Sequence, residues 1–137
     1  MNAISCAKTL LFNNDGQVLV LRRSDTHPKY PLFLDLPGGE VELGEMAEEA
    51  VIREIEEETG LAVKGHGATL LGADTHVRKR GDSMTYLLYK MTIDEHQPNI
   101  ILSWEHIEYM WLNPTELHGF EKAFQEKIDY ALQYKLI

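Results

Sequence analysis

The chain has 137 residues, of which 44% are hydrophobic and 26% charged, and its formal net charge is −9. These values are typical of a globular protein, and the length predicts one domain over residues 1–137 whose core needs no disulfide or structural metal. The acidic balance argues against a nucleic-acid duplex as a partner, because the duplex phosphates would be repelled. No apolar run approaches the roughly 20 residues that cross a bilayer, which excludes a membrane-spanning protein.

Two features of the sequence predict a cytoplasmic location. Cys6 is the only cysteine, so no intramolecular disulfide can form and a reducing compartment is the simpler assumption. The segment 1–5 lacks a basic region followed by a long apolar stretch, and we therefore expect no secretory signal.

The first predicted element is a β-hairpin. Residues 6–12 and 17–21 are rich in apolar side chains, and Asp15-Gly16 between them supplies the positive φ that a tight turn needs. Residues 24–35 contain two prolines and no periodic pattern, which predicts a surface loop. Residues 36–39, Leu-Pro-Gly-Gly, predict a turn.

Two helices and three further strands follow along the chain. A helical pattern over residues 45–59 ends at Gly60, in the position where a left-handed backbone is usual. Asn113 and Pro114 suit an N-cap and a first helical residue, and a last helix over residues 120–134 carries an apolar stripe. The strands are predicted over residues 68–73, 85–93 and 109–112. This order of elements predicts an α+β fold in which a mixed sheet lies between helices.

The first helix places three glutamates on its apolar side. At about 100° per residue, Glu54, Glu57 and Glu58 share a side with the small apolar residues Ala50 and Val51. Like charges at this spacing repel one another, the helix C-terminus disfavours anions, and burial adds a desolvation cost. A bound divalent cation offsets all three effects, and Mg²⁺ prefers oxygen ligands. The pattern therefore favours a metal site over a solvated acidic surface.

The segment that begins at Gly39 resembles the signature of a known family. It fits the pattern G-x5-E-x7-R-E-U-x-E-E-x-G-U, with U a bulky aliphatic residue, at every fixed position. The matching residues are Gly39, Glu45, Arg53, Glu54, Ile55, Glu57, Glu58, Gly60 and Leu61. This pattern is the Nudix box, and the chain resembles the MutT-like pyrophosphohydrolases of the Nudix hydrolase family. The resemblance implies an α/β/α sandwich, with a central mixed sheet, the box helix on one side and the C-terminal helix on the other.

The resemblance also implies roles for the residues of the box. Nudix enzymes hydrolyse a nucleoside diphosphate linked to another group, with Mg²⁺ or Mn²⁺ as cofactor. The implied metal ligands are the carbonyl oxygen of Gly39 and the carboxylates of Glu54, Glu57 and Glu58. Glu54 and Glu57 are thereby also catalytic residues. Arg53 is the third implied catalytic residue of the box and is expected to orient the neighbouring glutamates. Glu45 is expected to brace the loop before the helix.

A catalytic base is expected outside the box, on a later loop or strand. Such a group would remove a proton from the attacking water. Glu108 is the first candidate and Glu105 the second, although an exposed position at the rim of the site is the alternative for both.

Three residues are candidates for substrate binding. Arg22 and Arg23 end the second strand, and the guanidinium fork is well suited to a phosphate. Phe33 is the aromatic candidate for stacking on a base, with Tyr86 and Tyr89 as alternatives. No histidine is assigned to a metal, because no two of the six have the helical spacing of a zinc pair.

The predicted function is Mg²⁺-dependent cleavage of a pyrophosphate bond in a nucleoside di- or triphosphate, including a damaged deoxynucleotide, by a metal-activated water. Alternative substrates are ADP-ribose, a nucleotide sugar and a dinucleoside polyphosphate. Two other interpretations stay open, namely a Nudix module that senses a nucleotide without cleaving it and an acidic interaction domain. The expected partner is a small nucleoside diphosphate derivative, and the resemblance leaves a homodimer open.

Overall fold

The computed structural model describes residues 2–137, which form seven strands, a short 3-10 helix and two α-helices. The strands are β1 (Ala3–Phe12), β2 (Val18–Arg23), β3 (Leu34–Asp35), β4 (Gly38–Glu40), β5 (Thr69–Val77), β6 (Ser83–Thr92) and β7 (His106–Leu112). The helices are α1 (Ala47–Thr59) and α2 (Lys122–Gln133), and the 3-10 helix covers Pro114–Glu116.

Strand β1 is the centre of the sheet. It pairs in parallel with β6 from the Ala3–Ser83 pair to the Phe12–Thr92 pair. Leu10 and Leu11 of β1 are both fully buried, because successive side chains of a strand point to opposite faces and this strand is covered on both.

The remaining strands are antiparallel to their neighbours. Strand β2 pairs with β3 and β7, β5 pairs with β6, and β4 pairs with the middle of β1, at Cys6, Ala7 and Lys8. The predicted hairpin of β1 and β2 is present, but its strands pair only at Phe12 and Val18, beside the turn where Gly16 has a φ of +75°. Past this pair the place beside β1 is taken by β4, which brings Gly38 and Gly39 next to the middle of the sheet.

The two helices cover opposite faces of the sheet. Val51 and Ile55 of α1 pack in a cluster with Leu19 and Leu21 of β2. The other two apolar side chains of β2 belong to a second cluster, with Phe124 and Ile128 of α2. Because β2 alternates between the two clusters, its apolar run holds both layers together. The expected sandwich of a mixed sheet between the box helix and the C-terminal helix is therefore confirmed.

Most differences from the predicted elements lie at their ends. Helix α1 begins at Ala47, so Glu45 lies in the preceding loop, whereas the left-handed end at Gly60 is confirmed by a φ of +77°. Pro114–Glu116 form a separate 3-10 helix, and its N-cap Asn113 exchanges hydrogen bonds with Glu116. The segments predicted as loop and turn contain the short strands β3 and β4, because their backbones pair with distant strands. Among residues 2–137, no helix has the length and apolar character needed to cross a bilayer.

Candidate active site

A cleft of about 360 Å³ opens where the C-terminal half of α1 meets β4. Its other walls come from the starts of β1 and β6 and from the loop that follows β2. Three of the four box glutamates, Glu54, Glu57 and Glu58, line this cleft together with Gly39. The residues singled out by the helical periodicity therefore meet at one cavity.

Glu58 is the most deeply buried of the three glutamates. The residue is only 2% exposed, and its carboxylate Oε1 accepts a hydrogen bond of 2.8 Å from the backbone N–H of Gly38. Burial raises the pKa of Glu58 well above its usual value, against the opposing effects of the Lys8 ammonium and the Gly38 N–H. A carboxylate held in this way favours a cation at the cleft, because a positive charge would stabilise its ionised form.

Glu54 lies against the backbone of Gly39. A Cβ atom added to Gly39 would be 2.7 Å from Oε1 of Glu54, so a side chain at this position would displace the carboxylate. Burial also raises the pKa of Glu54. Glu57 differs, since its side chain is 59% exposed and lies at the rim of the cleft. The helical wheel predicts that all three glutamates face inward, whereas the structure places two of them inward and Glu57 at the edge.

Arg53 connects the loop before α1 to the glutamates. Its Nε donates to Glu45 Oε2 at 2.8 Å and its Nη2 to Glu45 Oε1 at 3.0 Å, a fork-to-fork pair. Nη1 donates to Glu54 at 3.0 Å and to Glu57 at 3.4 Å. The hydrogen bonds from Arg53 lower the pKa of Glu45 to about 2. Arg53 contacts both glutamates, and Glu45 accepts the Glu42 N–H in the loop.

A buried ion network forms the floor of the cleft. Asp35 Oδ1 lies 2.8 Å from Lys8 Nζ, and its Oδ2 lies 3.2 Å from Arg23 Nε and 2.9 Å from His106 Nε2. Burial alone would raise the pKa of Asp35, but Lys8, His106 and Arg23 outweigh it and keep the pKa below its usual value. Sequence reasoning did not find this network. The available signal was Lys8, a lone charge within the apolar run of β1.

Two sets of acidic residues at the cleft, the cluster around Asp35 and the box glutamates, differ in how well they suit a metal ion. Ligand atoms of Asp35, Glu58 and His106 lie within 4.8 Å of one another, but Asp35 is already neutralised by Lys8 and Arg23. A further cation at Asp35 would therefore be repelled. Glu54 and Glu57 share a single guanidinium, that of Arg53, with Glu45, so negative charge is left over at the cleft. Carboxylate oxygens of this kind suit Mg²⁺ or Mn²⁺.

Glu108, predicted as the first candidate for the base, does not line the cleft. It pairs with Arg22 on the neighbouring strand and is absent from the cleft walls. In β2, Leu21 belongs to the α1-side cluster, and alternation therefore turns Arg22 and the opposite Glu108 toward the α2 side. Glu105, the second candidate, lines the cleft.

The predicted substrate residues lie in different surroundings. Arg22 is held by Glu108 and by the Leu32 carbonyl, outside the cleft. Arg23 lines the cleft, but it is only 5% exposed and its guanidinium belongs to the Asp35 network. Phe33 is exposed and lines a neighbouring groove.

The two aromatic alternatives to Phe33, Tyr86 and Tyr89, lie in different places. Tyr86 lines both the cleft and the neighbouring groove of Phe33, so the two cavities adjoin at this ring. Tyr89 lies in the core beneath α1 instead. Of the two tyrosines, Tyr86 is therefore the one placed near a ligand.

Comparison with known proteins gives full-length matches. The Salmonella agona nucleoside triphosphatase NudI is 31% identical over 131 residues, which are 90% of this chain and 92% of that protein. The crystal structure of a MutT protein from Methanosarcina mazei Go1 superimposes with a TM-score of 0.81 at 26% identity, over 98% of this chain and 96% of that one.

Other relatives match over shorter stretches. The 8-oxo-dGTP diphosphatase of Escherichia coli is 36% identical over 62 residues, 44% of this chain and 46% of that enzyme. The chain spans only 33% and 63% of the length of two further relatives, from Bacillus subtilis and Nostoc. The family model described as the NUDIX domain matches residues 5–133. Because this match includes the cleft, both helices and nearly all of the sheet, the chain belongs to the Nudix family.

Proposed function

We propose that this protein hydrolyses a phosphoanhydride bond of a nucleoside di- or triphosphate with the help of Mg²⁺ or Mn²⁺. The observation that carries the proposal is the pair of inward carboxylates, Glu54 and Glu58, packed against Gly39 and Gly38 at a cleft. Their raised pKa values mean that the folded chain alone disfavours their charge. A divalent cation in the cleft removes that penalty.

The proposed metal ligands are the carboxylates of Glu54, Glu57 and Glu58 and the carbonyl oxygen of Gly39. When bound, the cation supplies charge neutralisation for the polyphosphate and a lowered pKa for a water ligand. Arg53 keeps Glu54 and Glu57 oriented through its two hydrogen bonds. The net charge of −9 would otherwise repel a polyphosphate, so the cation is needed for binding as well as for the reaction.

Glu105 is the base that we propose, in place of Glu108. It lies on the cleft wall, where its Oε2 is 3.8 Å from Nε2 of His27. A general base of this kind contributes about 10²–10⁴-fold to the rate. Glu108→Gln is a matched control, because both residues are partly exposed glutamates near the start of β7 and only one faces the cleft.

The proposed substrates are nucleoside triphosphates, including oxidised deoxynucleotides. Two relatives support this choice, since one is a nucleoside triphosphatase and another an 8-oxo-dGTP diphosphatase. The products would be a nucleoside monophosphate with pyrophosphate, or with phosphate from a diphosphate. A cytoplasmic location and a homodimer stay predictions.

The decisive experiment is a substrate panel assayed with Mg²⁺ and ranked by kcat/KM. It contains ordinary and oxidised deoxynucleoside triphosphates, ADP-ribose, a nucleotide sugar and a dinucleoside polyphosphate. We expect the triphosphates to rank first and Glu105→Gln to lose about 10²–10⁴-fold in kcat, with Glu108→Gln close to the unsubstituted protein. Nucleotide binding without turnover of any substrate would contradict the proposal and favour a sensing module.

A further inference from the structure

His106 is fully buried directly behind Glu58. The side chain is 0% exposed, and its Nε2 lies 2.9 Å from Oδ2 of Asp35. The other ring nitrogen, Nδ1, lies 3.7 Å from Oε2 of Glu58 and has no hydrogen-bond partner among residues 2–137. Buried polar atoms are rarely left without a partner, so the orientation of this nitrogen needs an explanation.

A β-bulge turns His106 toward Glu58. The pairs between β2 and β7 run from Arg22–Glu108 directly to Arg23–His106, so Ile107 is an extra residue on β7. With regular pairing Ile107 would lie opposite Arg23, and His106 would face away from α1. Bulges are frequent beside active sites, where they redirect one side chain.

Each carboxylate oxygen of Glu58 has a neighbour that limits its movement. Its Oε1 accepts the Gly38 N–H, and its Oε2 faces the His106 ring. Asp35 holds that ring from the opposite side and is itself held by Lys8 and Arg23. The ring therefore cannot turn away from Glu58 without breaking a contact to a buried carboxylate.

We propose that His106 is a positioning residue for Glu58, which keeps this carboxylate in the orientation that binds the divalent cation. The inference rests on the proposed function, because it takes Glu58 to be a metal ligand. Residues that contact and orient a metal ligand without contacting the metal themselves contribute about 10–100-fold to metal affinity.

The test compares two substitutions, each of which keeps a polar group near only one of the two ring nitrogens of His106. His106→Asn keeps an amide near the place of Nδ1, next to Glu58, whereas His106→Gln reaches toward Asp35 and loses the Glu58 side. Mn²⁺ affinity is measured on the metal-free full chain from the electron paramagnetic resonance signal of the free ion. We expect His106→Gln to weaken Mn²⁺ affinity about 10–100-fold and His106→Asn to weaken it less. The exposed His118, changed to Asn and Gln, serves as the control.

A second measurement needs no substitution at His106. In the ¹⁵N-labelled protein, the ring resonances of His106 should shift when Mg²⁺ is added, while those of His118 should stay in place. Unchanged His106 resonances in a protein that binds Mg²⁺ would overturn the inference. Equal Mn²⁺ affinity of the unsubstituted protein and of folded His106→Gln and His106→Asn would also overturn it and leave the proposed function intact. Absence of Mn²⁺ binding by the unsubstituted protein would overturn the proposed function itself.

Discussion

Asp35 is the residue on which the floor of the cleft depends. It is the shared anion for Lys8, Arg23 and His106, all of them nearly or fully buried. Sequence reasoning placed it at the end of a surface loop, because its partners are far away in the chain and become neighbours only after folding.

We predict that Asp35→Asn lowers the free energy of unfolding by about 3–5 kcal/mol, because it leaves two buried cations without their counter-charge. Urea denaturation at neutral pH measures the change. Asp94→Asn, at an exposed position, is the matched control and should stay within about 0.5 kcal/mol of the unsubstituted protein. A loss below 1 kcal/mol for Asp35→Asn would mean that water reaches and stabilises the two cations.

Glu45 gives the stability a pH dependence of known sign. Its pKa is lowered from an ordinary value of 4.5 to about 2 by hydrogen bonds from Arg53. A carboxyl group whose pKa is lower in the folded chain than in the unfolded chain stabilises the fold at pH values above its unfolded-state pKa. This stabilisation is lost as the pH falls through its folded-state pKa. The window for Glu45 therefore lies between 4.5 and about 2.

We predict that Glu45→Gln is less stable than the unsubstituted protein at neutral pH and that the difference shrinks as the pH falls through this window. Denaturation curves at neutral pH and at about pH 3 measure the change. A difference that stays constant between these pH values would show that the Arg53 pair does not perturb Glu45.

At the scale of elements, helix α1 connects the core to the chemistry. Its apolar residues pack on the sheet while the last turns present Glu54, Glu57 and Glu58 to the cleft. Helical periodicity predicted this division correctly, since it depends only on local geometry. It did not predict that Glu57 would be largely exposed, because that depends on what surrounds the end of the helix.

Gly60 ends α1 in a left-handed conformation, with a φ of +77°. An added Cβ would meet only Ile101, at 3.7 Å, so any cost comes from the backbone conformation rather than from a clash. We predict that Gly60→Ala destabilises the protein by about 1 kcal/mol, measured by urea denaturation. Gly67→Ala is the control, because its φ is outside the left-handed region and its Cβ would meet open space. Equal stability of both variants would contradict this account.

The register of strand β7 explains why Glu108, the first candidate for the base, does not line the cleft. The run from His106 to Leu112 has no residue type that signals a bulge. The bulge arises from pairing with β2, more than 80 positions earlier in the chain. Sequence alone therefore predicted that a base lies near this strand, whereas the three-dimensional register decides which side chains face the cleft.

At the scale of the whole molecule, the sandwich could be predicted because the strands carry apolar residues on both faces of the sheet. Val18 and Val20 pack under α2 while Leu19 and Leu21 pack under α1. The box glutamates were predicted by the same kind of pattern. The Asp35 network was not, since it joins four distant parts of the chain and leaves no periodic signal.

We predict that Mg²⁺ stabilises the entire fold, because it would bind carboxylates assembled only in the folded chain. At a hundredfold excess over Kd, the free energy of unfolding should rise by about 2.7 kcal/mol. Thermal or urea denaturation with and without Mg²⁺ measures this change, and Glu57→Gln should reduce it. Glu56→Gln, one position along the helix and exposed, is the control. Identical curves with and without Mg²⁺ would favour an acidic interaction domain.

The parallel ladder of β1 and β6 has a consequence for synthesis on the ribosome. It joins residues 80 positions apart, such as Thr9 and Tyr89, where the Thr9 hydroxyl also donates a hydrogen bond to the Tyr89 carbonyl. At roughly 5–20 residues per second, β1 waits about 4–16 s for its partner to be translated. During that interval the backbone N–H and C=O groups of β1 that later pair with β6 have no partner strand, and unpaired strand edges of this kind make a nascent chain prone to aggregation.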